Sequence, residues 1–168
     1  IGLTHMLGRE NVDSGQRDKL GKISGAAKHL LALLGDILDL SKIDAERLVL
    51  EHTDFRFCTI FSNVDSLLSE RAQAKGIYFK REAEPDLLDL PLLGDPLRIQ
   101  QILLNLVSNA IKFTERGGVT LRASLLEDCG REVKIAIEVS DSGIGMSNSA
   151  LARVFEPFEQ ADGSTTRQ

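Results

Sequence analysis

The sequence predicts an α+β fold with a long helical segment first and a mixed helix–strand domain after it. Three observations carry this. Residues 16–45 keep apolar side chains at alternating three- and four-residue steps. Residues 96–113 form a second, strongly amphipathic helical pattern opened by Asp95-Pro96. Val119–Leu125 and Val133–Val139 alternate apolar and polar residues on either side of a polar turn, the pattern of a hairpin.

In chain order, Ile1, Leu3, Met6 and Leu7 read as the last turns of a helix that stops near Gly8, and polar residues 9–15 break it. The next helix carries Leu20, Ile23, Ala27, Leu30, Leu34, Ile37 and Ser41 as a heptad seam. Leu31, Leu33, Leu38 and Leu40 widen its apolar surface beyond one antiparallel contact. A four-helix bundle made by two chains would bury it, with an intrachain bundle as the alternative. Residues 48–54 read as an extended linker. Helical spacing returns through Phe57, Ile60, Phe61, Val64, Leu67, Leu68 and Ala72, and Gly76 ends it. Ile77, Tyr78 and Phe79 begin a strand, and residues 85–94 form a connection with room for a short strand. In the helix after Pro96, Ile99, Ile102, Leu103, Leu106, Val107, Ala110 and Ile111 are expected to share a core-facing side. The second hairpin strand ends directly at Asp141, and residues 142–168, rich in Gly, Ser and Thr, read as a lid without a closing apolar element.

Composition narrows the function. A net charge of −5 leaves no basic footprint for nucleic acid. Cys58 and Cys129 lie far apart with no metal-ligand spacing, and Cys58, among apolar helix positions, reads as a small buried thiol. No apolar run reaches the about 18 residues of a membrane helix, because Asp36 and Asp39 interrupt Leu30–Leu40. The chain opens at Ile1, without an initiator Met and inside an apolar pattern, which suggests a piece of something longer. Gly21-Lys22 is followed by Ile23, so there is no P-loop, and Asn148 stands where a Rossmann fingerprint needs its third glycine.

The chemistry concentrates on one helix face. Asn105, Asn109 and Lys112 stand at i, i+4 and i+7. Two amides and an ammonium stacked on an otherwise apolar helix cost folding energy unless they meet something polar. A magnesium-bound phosphate chain fits, since magnesium keeps several waters and shares one or two protein oxygens with substrate phosphates; Asn109 can supply such an oxygen. Asp141, at a strand end with Gly143 and Gly145 beyond it, suits an adenine amine. Its carboxylate accepts from that amine and would repel the carbonyl of guanine.

These residues also carry a resemblance. Asn105-Leu-Val-Ser-Asn109-Ala-Ile-Lys112-Phe113-Thr114 resembles the N box of sensor histidine kinases of two-component systems. Asp141-Ser142-Gly143-Ile144-Gly145-Met146 resembles their first glycine box, and residues 154–160, with Phe155 and Phe158, their phenylalanine box. The resemblance implies a partial dimerisation and phosphotransfer hairpin at 1–45, a linker at 46–54 and a partial catalytic ATP-binding domain at 55–168. That domain would be a two-layer α/β sandwich of the histidine-kinase, chaperone and topoisomerase ATPase type. The cofactors implied are ATP and Mg, with Asn109 as metal ligand. Asn105, Asn109, Lys112, Phe113, Asp141, Gly143, Ile144, Gly145 and Phe158 would contact the nucleotide. The same resemblance implies a homodimer through the hairpin, a response-regulator receiver domain as partner, and a cytoplasmic region whose inner-membrane anchor, if any, lies outside it. No nucleic-acid or membrane contact is expected within the chain.

The departures from the family pattern are expectations too. His5 is followed by Met6 and Leu7, without the acidic residue and proline that follow a phosphoacceptor, so that histidine should lie upstream of Ile1 and no catalytic residue is expected in this chain. His29 and His52 read as surface or linker residues. The second glycine box and the end of the sandwich should follow Gln168, which makes the domain C-terminally truncated, and this piece alone would be inactive. Related ATPases of the same fold carry Glu where this chain has Asn105, because they activate water with a general base. A non-catalytic dimerisation scaffold is the remaining alternative.

Overall fold

The computed structural model describes residues 13–153, and by its internal contacts the chain divides into two units, 1–50 and 51–168. Residues 1–12 and 154–168, with His5, Phe155, Phe158 and Arg167 among them, lie outside the described residues.

The first unit contains helix α1 (Ser14–Asp44). Asp13 caps it, its carboxylate accepting the Gly15 N–H at 3.3 Å. Ile23, Leu30, Leu31, Leu34, Ile37 and Leu38 are all about half exposed or more. Among the described residues of this unit, nothing covers these six apolar side chains.

In the second unit, strand β1 (Thr53–Arg56) leads into helix α2 (Phe57–Ala74). Phe57, Ile60, Phe61, Val64, Leu68 and Ala72 make its buried stripe, and the Phe57 and Phe61 rings pack tilted at 5.4 Å between centroids. Gly76 takes φ +73°, and the Ile77 N–H reaches back to the Ala72 carbonyl at 3.1 Å, which closes the helix end. Strand β2 (Tyr78–Ala83), the short helix α3 (Pro85–Asp89), strand β3 (Pro91–Gly94) and helix α4 (Pro96–Phe113) follow. Strands β4 (Gly118–Asp128) and β5 (Val133–Asp141) form the expected hairpin, and a last turn, α5, covers Asn148–Leu151.

The sheet runs β2-β4-β5, parallel between β2 and β4 and antiparallel between β4 and β5. Helices α2 and α4 pack on each other and on this sheet. Val119, Leu121 and Ala123 of β4 are buried and meet Leu103, Val107, Ala110 and Ile111 of α4 and the stripe of α2 in one core. The opposite sheet face is polar: Arg122 bridges Glu82 at 2.7 Å and Glu138 at 3.6 Å across three strands. Lys80 first, and then Arg122, hold the Glu82 carboxyl below the usual carboxylate range.

The structure adds detail where short segments hide periodicity. Thr53 and Asp54, read as linker, are hydrogen-bonded strand paired antiparallel with Gly94 and Leu93. Residues 85–89, read as connection, form a helical turn because fully buried Leu87 anchors it and Pro85 opens it. Cys58 is only partly buried, since α2 turns it toward the stripe's margin.

Candidate functional site

Helix α4 is fixed at both ends. At its start, one Asp95 oxygen accepts the Arg98 N–H at 3.0 Å and the other accepts the Glu51 N–H at 3.2 Å. These backbone donors, Arg98 first, hold the Asp95 carboxyl below its ordinary range. At its finish, Thr114 turns extended, and its N–H still closes on the Ala110 carbonyl at 3.0 Å. The next two carbonyls, of Ile111 and Lys112, accept the Lys75 ammonium at 2.8 and 2.6 Å.

On the exposed face of α4 the three predicted polar residues stand together. The Asn109 amide donates to the Asn105 side-chain oxygen at 3.3 Å. That bond fixes the amide's orientation and leaves the Asn109 oxygen without a hydrogen-bond donor among the described residues. The Lys112 ammonium lies 4.8 Å from the centre of the half-exposed Phe113 ring. Ile102 and Leu106, expected in the core, are 57% and 45% exposed instead, both on one side of Asn105 around the helix. The apolar pattern of α4 is wider than the surface the sheet can cover, and the excess flanks the amides.

The glycine segment joins this helix through its backbone. The Asp141 carboxylate, on the last residue of β5, accepts the Gly143 N–H at 2.8 Å. A Cβ on Gly143 would stand 2.5 Å from the Phe113 carbonyl oxygen and 2.8 Å from an Asp141 carboxylate oxygen. The last residue of α4 and the turn after Asp141 thus touch, with no room for a side chain between them. Ser142 ties the turn down: its hydroxyl accepts the Gly118 N–H at 3.0 Å and donates to the Arg116 carbonyl at 2.8 Å. Gly145 takes φ +65°, and Ile144 before it is 73% exposed, an apolar side chain held in water beside the carboxylate.

Of the predicted residues, then, Asn105, Asn109, Lys112, Phe113, Asp141, Gly143, Ile144 and Gly145 fall on α4 or on the turn that its end touches; Phe158 lies outside the described residues. Among the described residues no cluster of His, Cys, Asp and Glu could hold a metal ion by itself. The donor set nevertheless fits a hard cation that arrives with its own phosphate and water oxygens, because one outward amide oxygen is enough. A groove of about 290 Å³ between α2 and α4, lined by Leu67, Leu68, Arg71, Leu104, Asn105 and Ser108, reaches only Asn105 of this set.

Sequence reasoning missed Lys75, Ser142 and Thr114. Lys75 precedes the helix-ending Gly76 and carries no pattern of its own; its carbonyl partners lie far along the chain. Thr114 is fully buried, and its hydroxyl has no hydrogen-bond partner among the described residues.

The chain is similar in sequence and in structure to histidine kinases. Residues 94–168 match the family model described as histidine kinase-, DNA gyrase B- and HSP90-like ATPase. The chain is 41% identical over its whole length to the sensor histidine kinase GacS of Pseudomonas protegens, of which it spans 18%. Among solved structures, full-length ShkA in complex with AMPPNP aligns with 96% of the chain and 34% of its own, at 34% identity and a TM-score of 0.72. The histidine kinase ThkA, in complex with the response regulator TrrA, aligns with 95% of the chain and 45% of its own, at 27% identity and a TM-score of 0.60. No helix among the described residues is long and apolar enough to cross a membrane.

Proposed function

We propose, from the match of residues 94–168 to the histidine kinase-, DNA gyrase B- and HSP90-like ATPase family model, that the chain is the dimerisation and ATP-binding region of a sensor histidine kinase. The observation that carries this reading is the close approach of Gly143 to the Phe113 carbonyl. This contact supports the reading because it joins the turn after Asp141, the proposed adenine acceptor, to the end of the helix whose face is proposed to take the phosphates.

In this reading Asp141 accepts the exocyclic amine of adenine, and the exposed Ile144 covers the base. Gly143 and Gly145 let the backbone come close, and Phe113 and Phe158 border the nucleotide. Lys112 pairs with phosphate oxygens. Asn109 offers its amide oxygen to Mg, and Asn105 keeps that amide in its orientation through the 3.3 Å hydrogen bond. When bound, the cation screens the phosphates and stabilises the charge that moves during phosphoryl transfer. The protein's part is positioning and charge neutralisation, with transfer of the γ-phosphoryl group to a histidine in the intact protein and onward to a response-regulator aspartate. The apolar side chains of α1 that nothing covers among the described residues of its unit support a homodimer built through that helix.

The test is incubation of the intact protein with γ-labelled ATP and magnesium, followed by assay for acid-labile, base-stable label on protein. Label that disappears in Asn109→Ala is expected. Normal ATP binding with no label in the parent would favour a dimerisation scaffold that has lost turnover.

A further inference from the structure

The Lys75 ammonium reaches across from the end of α2 and ends on two of the carbonyls in the last turn of α4, those of Ile111 and Lys112. Those carbonyls are the negative pole of α4, worth about half an elementary charge before any partner is counted. Asn109, Lys112 and Phe113 occupy the same last turns. A polyphosphate seated on that face would therefore sit beside a pole of its own sign. Acidic residues flank the segment on the other side as well, with Glu115 next in sequence after Thr114 and Asp141 at the adjoining turn.

We propose that Lys75 is a positioning residue for the triphosphate: it neutralises the carboxyl pole of α4 and holds its last turn against the Gly143 turn. This rests on the nucleotide reading given above. Two consequences separate it from an ordinary helix cap. Loss of the charge should weaken ligands in proportion to their phosphates, because the pole acts on charge and not on the base. Keeping a hydrogen-bond donor without the charge should not restore that affinity, because a neutral donor satisfies the carbonyls but leaves the pole unneutralised.

The experiment is titration of the intact protein and its variants with ATP·Mg and, by competition, with adenosine. Lys75→Met is expected to weaken ATP·Mg roughly tenfold, the scale of a cation at a helix end, and adenosine by less than about twofold. Lys75→Gln, which can still donate to the carbonyls, is expected to fall with Lys75→Met, and Lys75→Arg to recover most of the affinity. Should Lys75→Met not fold, Lys75→Gln carries the same comparison. Equal losses for ATP and adenosine, or ATP binding within twofold of the parent in both neutral variants, would overturn the inference while leaving the nucleotide reading intact. A parent that binds no ATP·Mg would overturn both.

Discussion

Replacing Gly143 with Ala gives the sharpest test of how the two halves of the site are joined. An added Cβ would lie 2.5 Å from the Phe113 carbonyl oxygen, 2.8 Å from an Asp141 oxygen and 3.0 Å from the Phe113 carbonyl carbon. Carbon and oxygen that are not bonded settle near 3.3 Å or beyond, so the turn and the end of α4 must part by about 0.8 Å. The near neighbours include main-chain atoms, which cannot swing aside as a long side chain does. Overpacking of this kind costs about 1–3 kcal/mol. The separation also strains the 2.8 Å bond from the Gly143 N–H to Asp141. Misplacement approaching 1 Å between base-reading and phosphate-reading groups is expected to weaken ATP·Mg by up to ~100-fold. Gly145→Ala is the control for stability: among the described residues nothing stands within 4 Å of its Cβ, so its folding penalty is that of φ +65°, about 1 kcal/mol. Urea unfolding gives the stability and titration calorimetry the affinity. A Gly143→Ala protein with the parent's midpoint and affinity would refute the contact between α4 and the turn.

Asp141→Ala is expected to weaken ATP by about 1.5–3 kcal/mol, the scale of a hydrogen bond to a charged group, in the same titration; unchanged affinity would remove the adenine assignment. Thr114→Val removes a fully buried hydroxyl that has no partner among the described residues, so thermal unfolding should show a stability gain of about 1 kcal/mol. A loss would mean that the hydroxyl has a partner such as a buried water. The Asp95 carboxyl is held below its ordinary range in the folded state, chiefly by the Arg98 N–H. Its contribution is therefore full above the unfolded pKa of about 3.9 and is lost as the pH falls through the lower folded value. Urea midpoints measured between pH 5 and pH 2 should fall less steeply for Asp95→Asn than for the parent. Parallel slopes would mean that the cap does not hold the carboxylate.

The long amphipathic elements were legible because their periodicity survives over many residues. Helix α4, its Asp95 cap, the β4–β5 hairpin and the strand end at Asp141 all stand where the pattern puts them. Strand β1 and helix α3 were not, since four or five residues contain too little period to distinguish them from linker. The α4 stripe was overread: Ile102 and Leu106 fit the helical spacing, but spacing does not say how wide a surface the sheet covers. Within the candidate site, the side chains proposed to face a ligand stand out in the sequence by their polarity on an apolar helix. The groups that hold those side chains in place do not. Lys75 and Ser142 act through backbone atoms more than twenty residues away, and neither their type nor their spacing announces a partner.

The parallel pairing of β2 with β4 has a consequence in time. Parallel neighbours need a crossover, and here it contains α3, β3 and all of α4. Helix α4 thus leaves the ribosome before the strand that seats it. Until β4 arrives, Leu103, Val107, Ala110 and Ile111 have no sheet to lie on. When it does arrive, a slip of one residue would turn Arg122 toward the helices and Val119, Leu121 and Ala123 toward water. The Glu82–Arg122–Glu138 ladder favours the correct alignment from the solvent side while the apolar residues enforce it from the other. Strand register and site geometry are therefore decided in one late, long-range step of folding, and a chain that has not taken it has neither sheet nor site.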